Sequence, residues 1–102
     1  MKELRDSRIS SMEFEWDETK SAWTRRERGF GFEAAIRVFD GPTLEWCDVR
    51  QSWGEERVVA IGTVESLILT VVYTNRGPAR RIISARIARK NEAEQWQWFA
   101  KL

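Results

Sequence analysis

Arginine is the residue in this chain best suited to chemistry on an anion. Arg80, Arg81 and Arg86 sit in and beside the run Ile82-Ile83-Ser84-Ala85. A guanidinium stays charged at any working pH and grips a phosphate through two parallel hydrogen bonds. Arginines fixed on a strand could hold a scissile phosphate and the charge that develops on it. Strict alternation predicts Arg81 with Ile83 and Ala85 on one face, and Arg80 with Ser84 and Arg86 on the other. A surface strand whose long side chains shield apolar neighbours would show the same residues.

Other groups could complete such a site. Glu55-Glu56-Arg57 opens a second β-rich stretch. A carboxylate there can take the proton of a ribose 2′-hydroxyl, and Arg57 can add a phosphate contact; a solvated strand entrance is the plainer reading. Tyr73 offers a hydroxyl to a phosphate or a ring to a base, or else packs in the core. Lys20 could serve as an acid or a phosphate contact, or be one solvated helix lysine. Six tryptophans are too many to bury in 102 residues. Trp16 is expected in the core, and Trp96 and Trp98 on different sides of one helix. Exposed indoles suit a protein partner or, second, base stacking. Cys47 reads as structural.

Two absences narrow the chemistry. The chain has no histidine and one cysteine. Internal disulfides, Cys-rich zinc sites and His-based triads are therefore excluded. Catalysis is left to carboxylates, Lys, Arg, Tyr, or a metal held by oxygens; no metal site and no cofactor is expected. The net charge of +1 hides an asymmetry, because residues 76–102 carry seven basic and two acidic side chains. Such a patch can collect nucleic acid, although an Arg-rich solvated strand and helix also account for it. No apolar run approaches the roughly 20 residues of a membrane span. No apolar stretch follows the charged start, so cytoplasmic residence is expected.

These residues need elements to position them. Residues 1–11 read as a peripheral, frayed extension, and 12–102 as one domain. Residues 13–16 alternate as a half-buried strand. Asp17 is a plausible N-cap for a helix over 18–28 that Gly29 ends. Residues 33–39 predict a second short helix, with Phe32, Ala35, Ile36 and Phe39 on one stripe. Strands follow over 43–50, 57–63, 67–74 and 80–87, with turns at Ser52-Trp53-Gly54 and Asn75-Arg76-Gly77-Pro78. The strand over 67–74 is apolar on both faces, hence central. A helix closes the chain over 88–101. The predicted class is α+β, in the order β-α-α-β-β-β-β-α, with helices packed on a twisted antiparallel sheet.

From Met12 to Trp96 the chain resembles the BrnT toxin family of bacterial type II toxin–antitoxin systems. The resemblance rests on Phe14-x-Trp16-Asp17-x-x-Lys20, Gly29-x-x-Phe32-x-x-Ala35 and Val38-Phe39-Asp40. It continues through Glu56-Arg57, Ile61-Gly62, Val71-Val72-Tyr73-Thr74 and Arg81-Ile82-Ile83-Ser84-Ala85-Arg86-x-Ala88, and ends at Glu92. Arg28 stands where the family usually has histidine, and Trp96 where it has a late tyrosine. The resemblance implies a RelE-like fold with ribonuclease activity; with the arginine cluster in a chain without histidine, a metal-independent endoribonuclease that inhibits translation is expected. It implies a BrnA-like antitoxin partner with a ribbon-helix-helix module, through which alone the toxin meets DNA. Matched positions make Lys20, Glu56, Arg57, Arg81 and Arg86 the candidate catalytic residues. Arg28, Tyr73, Arg76 and Arg80 are the candidate RNA contacts. Two other readings keep the fold: a catalytically silent co-repressor that binds the antitoxin, and a stand-alone RNA-binding module.

Overall fold

The computed structural model describes residues 3–6, 12–48 and 55–101. Strand β1 spans Glu3–Asp6 and β2 Glu13–Trp16. Helix α1 covers Glu18–Arg28, and α2, Phe32–Ala35, runs on into a 3-10 turn, Ile36–Asp40. Strands β3, Pro42–Asp48, β4, Arg57–Val64, β5, Leu67–Arg76, and β6, Ala79–Ile87, precede helix α3, Lys90–Ala100. They form one six-stranded sheet in the order β1-β3-β4-β5-β6-β2. The expected α+β class and the order of elements from residue 12 onward are borne out.

Two expectations about the sheet are corrected. The sheet is mixed, because β2 runs parallel to β6, with Phe14 opposite Arg80 and Trp16 opposite Ile82. Everything from α1 to β5 lies between these strands in the chain, so no short turn dictates their direction. In addition, Glu3–Asp6 pair antiparallel with β3. Part of the stretch read as a frayed extension therefore forms a sheet edge. Residues 49–54 lie outside the described residues, and with them the expected turn at Ser52-Trp53-Gly54 and the end of the 43–50 strand.

Local chemistry explains where α1 begins and ends. Asp17 accepts from the Thr19 N–H at 2.8 Å, the N-cap bond that satisfies an otherwise orphan donor. At the other end Gly29 adopts φ +86°, and its N–H closes on the Arg25 carbonyl at 3.0 Å. Only glycine takes this conformation cheaply, so Arg28 is fixed as the last helical residue. Buried Ser21 ties α1 to α2: its hydroxyl accepts from the Phe32 N–H at 2.9 Å and donates to Glu33 at 3.2 Å. Arg25 also pairs with Glu33.

The sheet separates two cores. On one face α2 and the 3-10 turn cover Val58, Ala60, Val71, Tyr73, Ile82 and Ala85, with Phe32, Val38 and Phe39 packed against them. Gly62 lets the 3-10 turn approach closely, since a Cβ there would meet the Val38 Cβ at 3.0 Å. On the other face a smaller cluster joins Leu44 and Ile61 to Trp96 of α3, with Trp46, Ile68 and Phe99 beside it. Trp96 is buried and Trp98 exposed, as their spacing predicts. Trp16 is only partly buried; its ring meets Phe32 edge-on and its Nε1 donates to Glu18.

Candidate nucleic-acid interface

One irregularity in β6 decides which side chains share a face. Val72 pairs with Ser84, but the next residue, Tyr73, pairs with Ile82. Ile83 is therefore an extra residue, a β-bulge, and alternation restarts after it. Arg81, Ser84 and Arg86 then lie opposite Thr74, Val72 and Thr70, on one face of the sheet. Arg80, Ile82 and Ala85 share the other. The expectation of Arg81 with Ile83 and Ala85, opposite Arg80 with Ser84 and Arg86, is corrected by this single inserted residue.

The regular strand β4 brings a second arginine to the Arg81 face. Arg57 precedes Val58, the partner of Tyr73, while Arg81 pairs with Thr74. The two arginines therefore flank Thr74 from opposite sides, with Cα positions roughly 10 Å apart at two strand spacings. Thr74 is itself buried and donates to the Glu56 carbonyl at 2.6 Å. That bond fixes the backbone from which Arg57 projects. The Glu56 side chain is exposed. Glu15 of β2 lies 3.8 Å from Arg81.

An open cleft of about 490 Å³ runs between α1 and β6. Lys20, Trp23, Thr24 and Arg28 form its α1 wall, and Phe32, Arg57, Ile83 and Ser84 the rest. Three of the sequence-predicted residues, Lys20, Arg28 and Arg57, thus meet in one concave surface, although the chain separates them by up to 37 positions. Arg28 donates to the Ala85 carbonyl at 3.3 Å and lies 5.0 Å over the Trp23 ring. The bulge residue Ile83 supplies apolar wall. Trp23, 46% exposed, and Ser84 were not singled out as site residues from sequence. A tryptophan five residues before a helix-terminal arginine is the available signal for Trp23; the bulge beside Ser84 leaves none.

The remaining predicted residues are placed elsewhere. Arg86 makes a bidentate pair with Glu92, at 2.6 and 2.9 Å. Glu92 also accepts from Thr70 Oγ1 at 3.1 Å and the Arg89 N–H at 2.8 Å. Arg86 and these bonds hold the Glu92 carboxyl at about 2, well below its ordinary value, against the opposing effect of burial. Arg86 is thus occupied at the joint between the sheet and α3. Tyr73 is 1% exposed and donates to buried Glu45 at 2.6 Å. Arg80 lies 4.7 Å over Phe39 and 4.1 Å over Tyr73. Neither Tyr73 nor Arg80 presents its ring or fork to a base or phosphate in this arrangement. Burial under the 3-10 turn, which sequence alternation could not show, is the reason. Arg76 is exposed and pairs with Glu55 at 3.6 Å.

Among the described residues no group of His, Cys, Asp or Glu could hold a metal ion, and no helix is long and apolar enough to cross a membrane. Other clefts among the described residues include one of about 350 Å³ beside Arg25 and Arg37, holding none of the predicted residues, and one of about 380 Å³ beside Arg86 and Trp46.

The decisive comparison is with protein families. Residues 16–92 match the family described as the ribonuclease toxin, BrnT, of type II toxin–antitoxin systems. The chain belongs to the BrnT family. The match takes in α1, the whole sheet from β3 to β6 and the joint residue Glu92, and so contains every residue of the α1–β6 cleft. A type II system supplies an antitoxin partner for the toxin. No curated protein matches the chain.

Proposed function

We propose that this BrnT protein is a RelE-like, metal-independent endoribonuclease that inhibits translation by cutting RNA at the α1–β6 cleft. The observation that carries the reading is the convergence of Lys20, Arg28 and Arg57 on one open surface, with Arg81 across Thr74 from Arg57. Concentrated guanidinium charge beside a groove is what a phosphodiester backbone requires.

The chemistry follows from the residue types. Arg57 and Arg81 bind the non-bridging oxygens of one phosphate and stabilise the charge that builds there. Glu56 takes the proton of the neighbouring 2′-hydroxyl. The 2′-oxygen attacks phosphorus, and the bond from phosphorus to the 5′-oxygen breaks. The Lys20 ammonium gives its proton to that departing oxygen. The products are a 2′,3′-cyclic phosphate and a 5′-hydroxyl. Arg86, paired with Glu92, positions α3 rather than substrate. The protein acts in the cytoplasm, held in check by a BrnA-like antitoxin whose ribbon-helix-helix module reaches DNA.

The test uses end-labelled RNA with EDTA present and protein freed of its antitoxin. Cleavage by the parent, lost in Arg57→Ala and Arg81→Ala, is the expected result. Absence of cleavage by folded parent, with ribosomes as well as without, would replace the enzyme by an antitoxin-binding co-repressor.

A further inference from the structure

We infer that the cleft takes its RNA as an unpaired strand, with one nucleobase stacked on the ring of Trp23. This rests on the reading of the cleft as an RNA site and adds what that site selects. Trp23 lines the same wall as Lys20 and Arg28, and it is nearly half exposed. An indole left open to water is costly unless something covers it.

Its neighbours point to the cover. Arg28 stands 5.0 Å over the ring, and the Ala85 carbonyl holds that guanidinium at 3.3 Å. The ring is thereby braced by a cation on one side, while its remaining surface faces the cleft. Lys20 lines the same wall, and Arg57 belongs to the rest of the lining. A nucleotide is the ligand that needs both features at once, a π-face for its base and cations for its phosphate. An apolar protein side chain would cover the indole but bring no anion to Lys20 and Arg28 on the same wall.

The geometry selects against a duplex. Bases inside A-form RNA are already stacked on each other and offer no free face. An indole can take a base only from a strand that is unpaired or locally opened. Stacking reads no hydrogen-bond edge, so the contact favours single strands over duplex without strong sequence choice.

The experiment measures binding of a fluorescent 2′-deoxy oligonucleotide, which lacks the attacking hydroxyl and cannot be cut. Parent, Trp23→Ala, Trp23→Phe, Trp98→Ala and Arg57→Ala proteins are compared on single strand, duplex, and a single strand with one abasic position scanned along it. Expected is about a tenfold loss of single-strand affinity in Trp23→Ala, retained in Trp23→Phe and Trp98→Ala, with weak duplex binding unchanged. One abasic position should weaken the parent by a similar factor and Trp23→Ala no further. If Trp23→Ala binds the single strand like the parent while Arg57→Ala does not, the stacking inference is overturned and the phosphate site stands. If Arg57→Ala also binds like the parent, the RNA site itself is wrong. Unchanged RNA affinity with a lost antitoxin complex would make Trp23 a protein contact and overturn the inference.

Discussion

The cleft beside α1 and the joint that holds α3 are both built on β6 around arginine, and they differ in what each guanidinium meets. In the joint Arg86 meets Glu92, a carboxylate 8% exposed and fixed from three directions. Both prongs of its fork are engaged. In the cleft Arg28 meets one backbone carbonyl and one ring, and Lys20 is exposed. Beyond the cleft, Arg81 meets Glu15 at 3.8 Å, a carboxylate 42% exposed and a weak competitor for an arriving anion. A cation becomes structural where the fold supplies a buried anion, and stays available where it does not.

The sharpest way to break this contrast is to remove Arg81, which stands across Thr74 from the cleft residue Arg57. Arg81→Ala is expected to slow RNA cleavage by about 10²–10³-fold, while its melting temperature stays within a few degrees of the parent. Single-turnover cleavage beside a thermal melt reads both. Arg86→Ala should do the reverse. It leaves the Glu92 carboxylate buried without its partner, a loss on the order of 3 kcal/mol, or about 10–20 °C of melting temperature. Cleavage per folded molecule should change little.

Acid sharpens the same comparison. The folded Glu92 carboxyl titrates at about 2, below the roughly 4.3 of an unfolded glutamate. Its contribution is therefore complete above the unfolded value and is lost as pH falls through the folded one. Between pH 5 and 2 the parent should lose more melting temperature than Glu92→Gln. Parallel curves for the two proteins would show that the pair does not carry the joint. The smallest effect belongs to Arg76→Ala. Its pair with Glu55 is exposed, so stability should move by less than about 1 kcal/mol and cleavage by less than about twofold. A large fall in cleavage would extend the RNA path beyond the cleft.

Parts of this arrangement were legible in the sequence because local signals carried them. Asp17 and Gly29 bracket α1 at the predicted residues, and the short connections around Glu65-Ser66 and Gly77-Pro78 produce the β4–β5–β6 meander. The type and order of the cationic residues were equally visible. What stayed hidden depends on distant parts of the chain. Parallel pairing of β2 with β6 has no turn to announce it. The bulge at Ile83 carries no glycine and reverses every face assignment after it. Arg80 and Arg86 look alike in sequence, yet one is taken up by Phe39 and Tyr73 and the other by Glu92. Trp23 comes to face the cleft beside Arg28 only once α1 is packed on the sheet.

The central claim, that Arg81 acts on RNA while Arg86 holds α3, is tested most directly by one paired measurement. Cleavage rate in EDTA and melting temperature are determined together for the parent, Arg81→Ala and Arg86→Ala. The account predicts an inactive, stable Arg81→Ala and an active, less stable Arg86→Ala. A stable but inactive Arg86→Ala beside a fully active Arg81→Ala would contradict it.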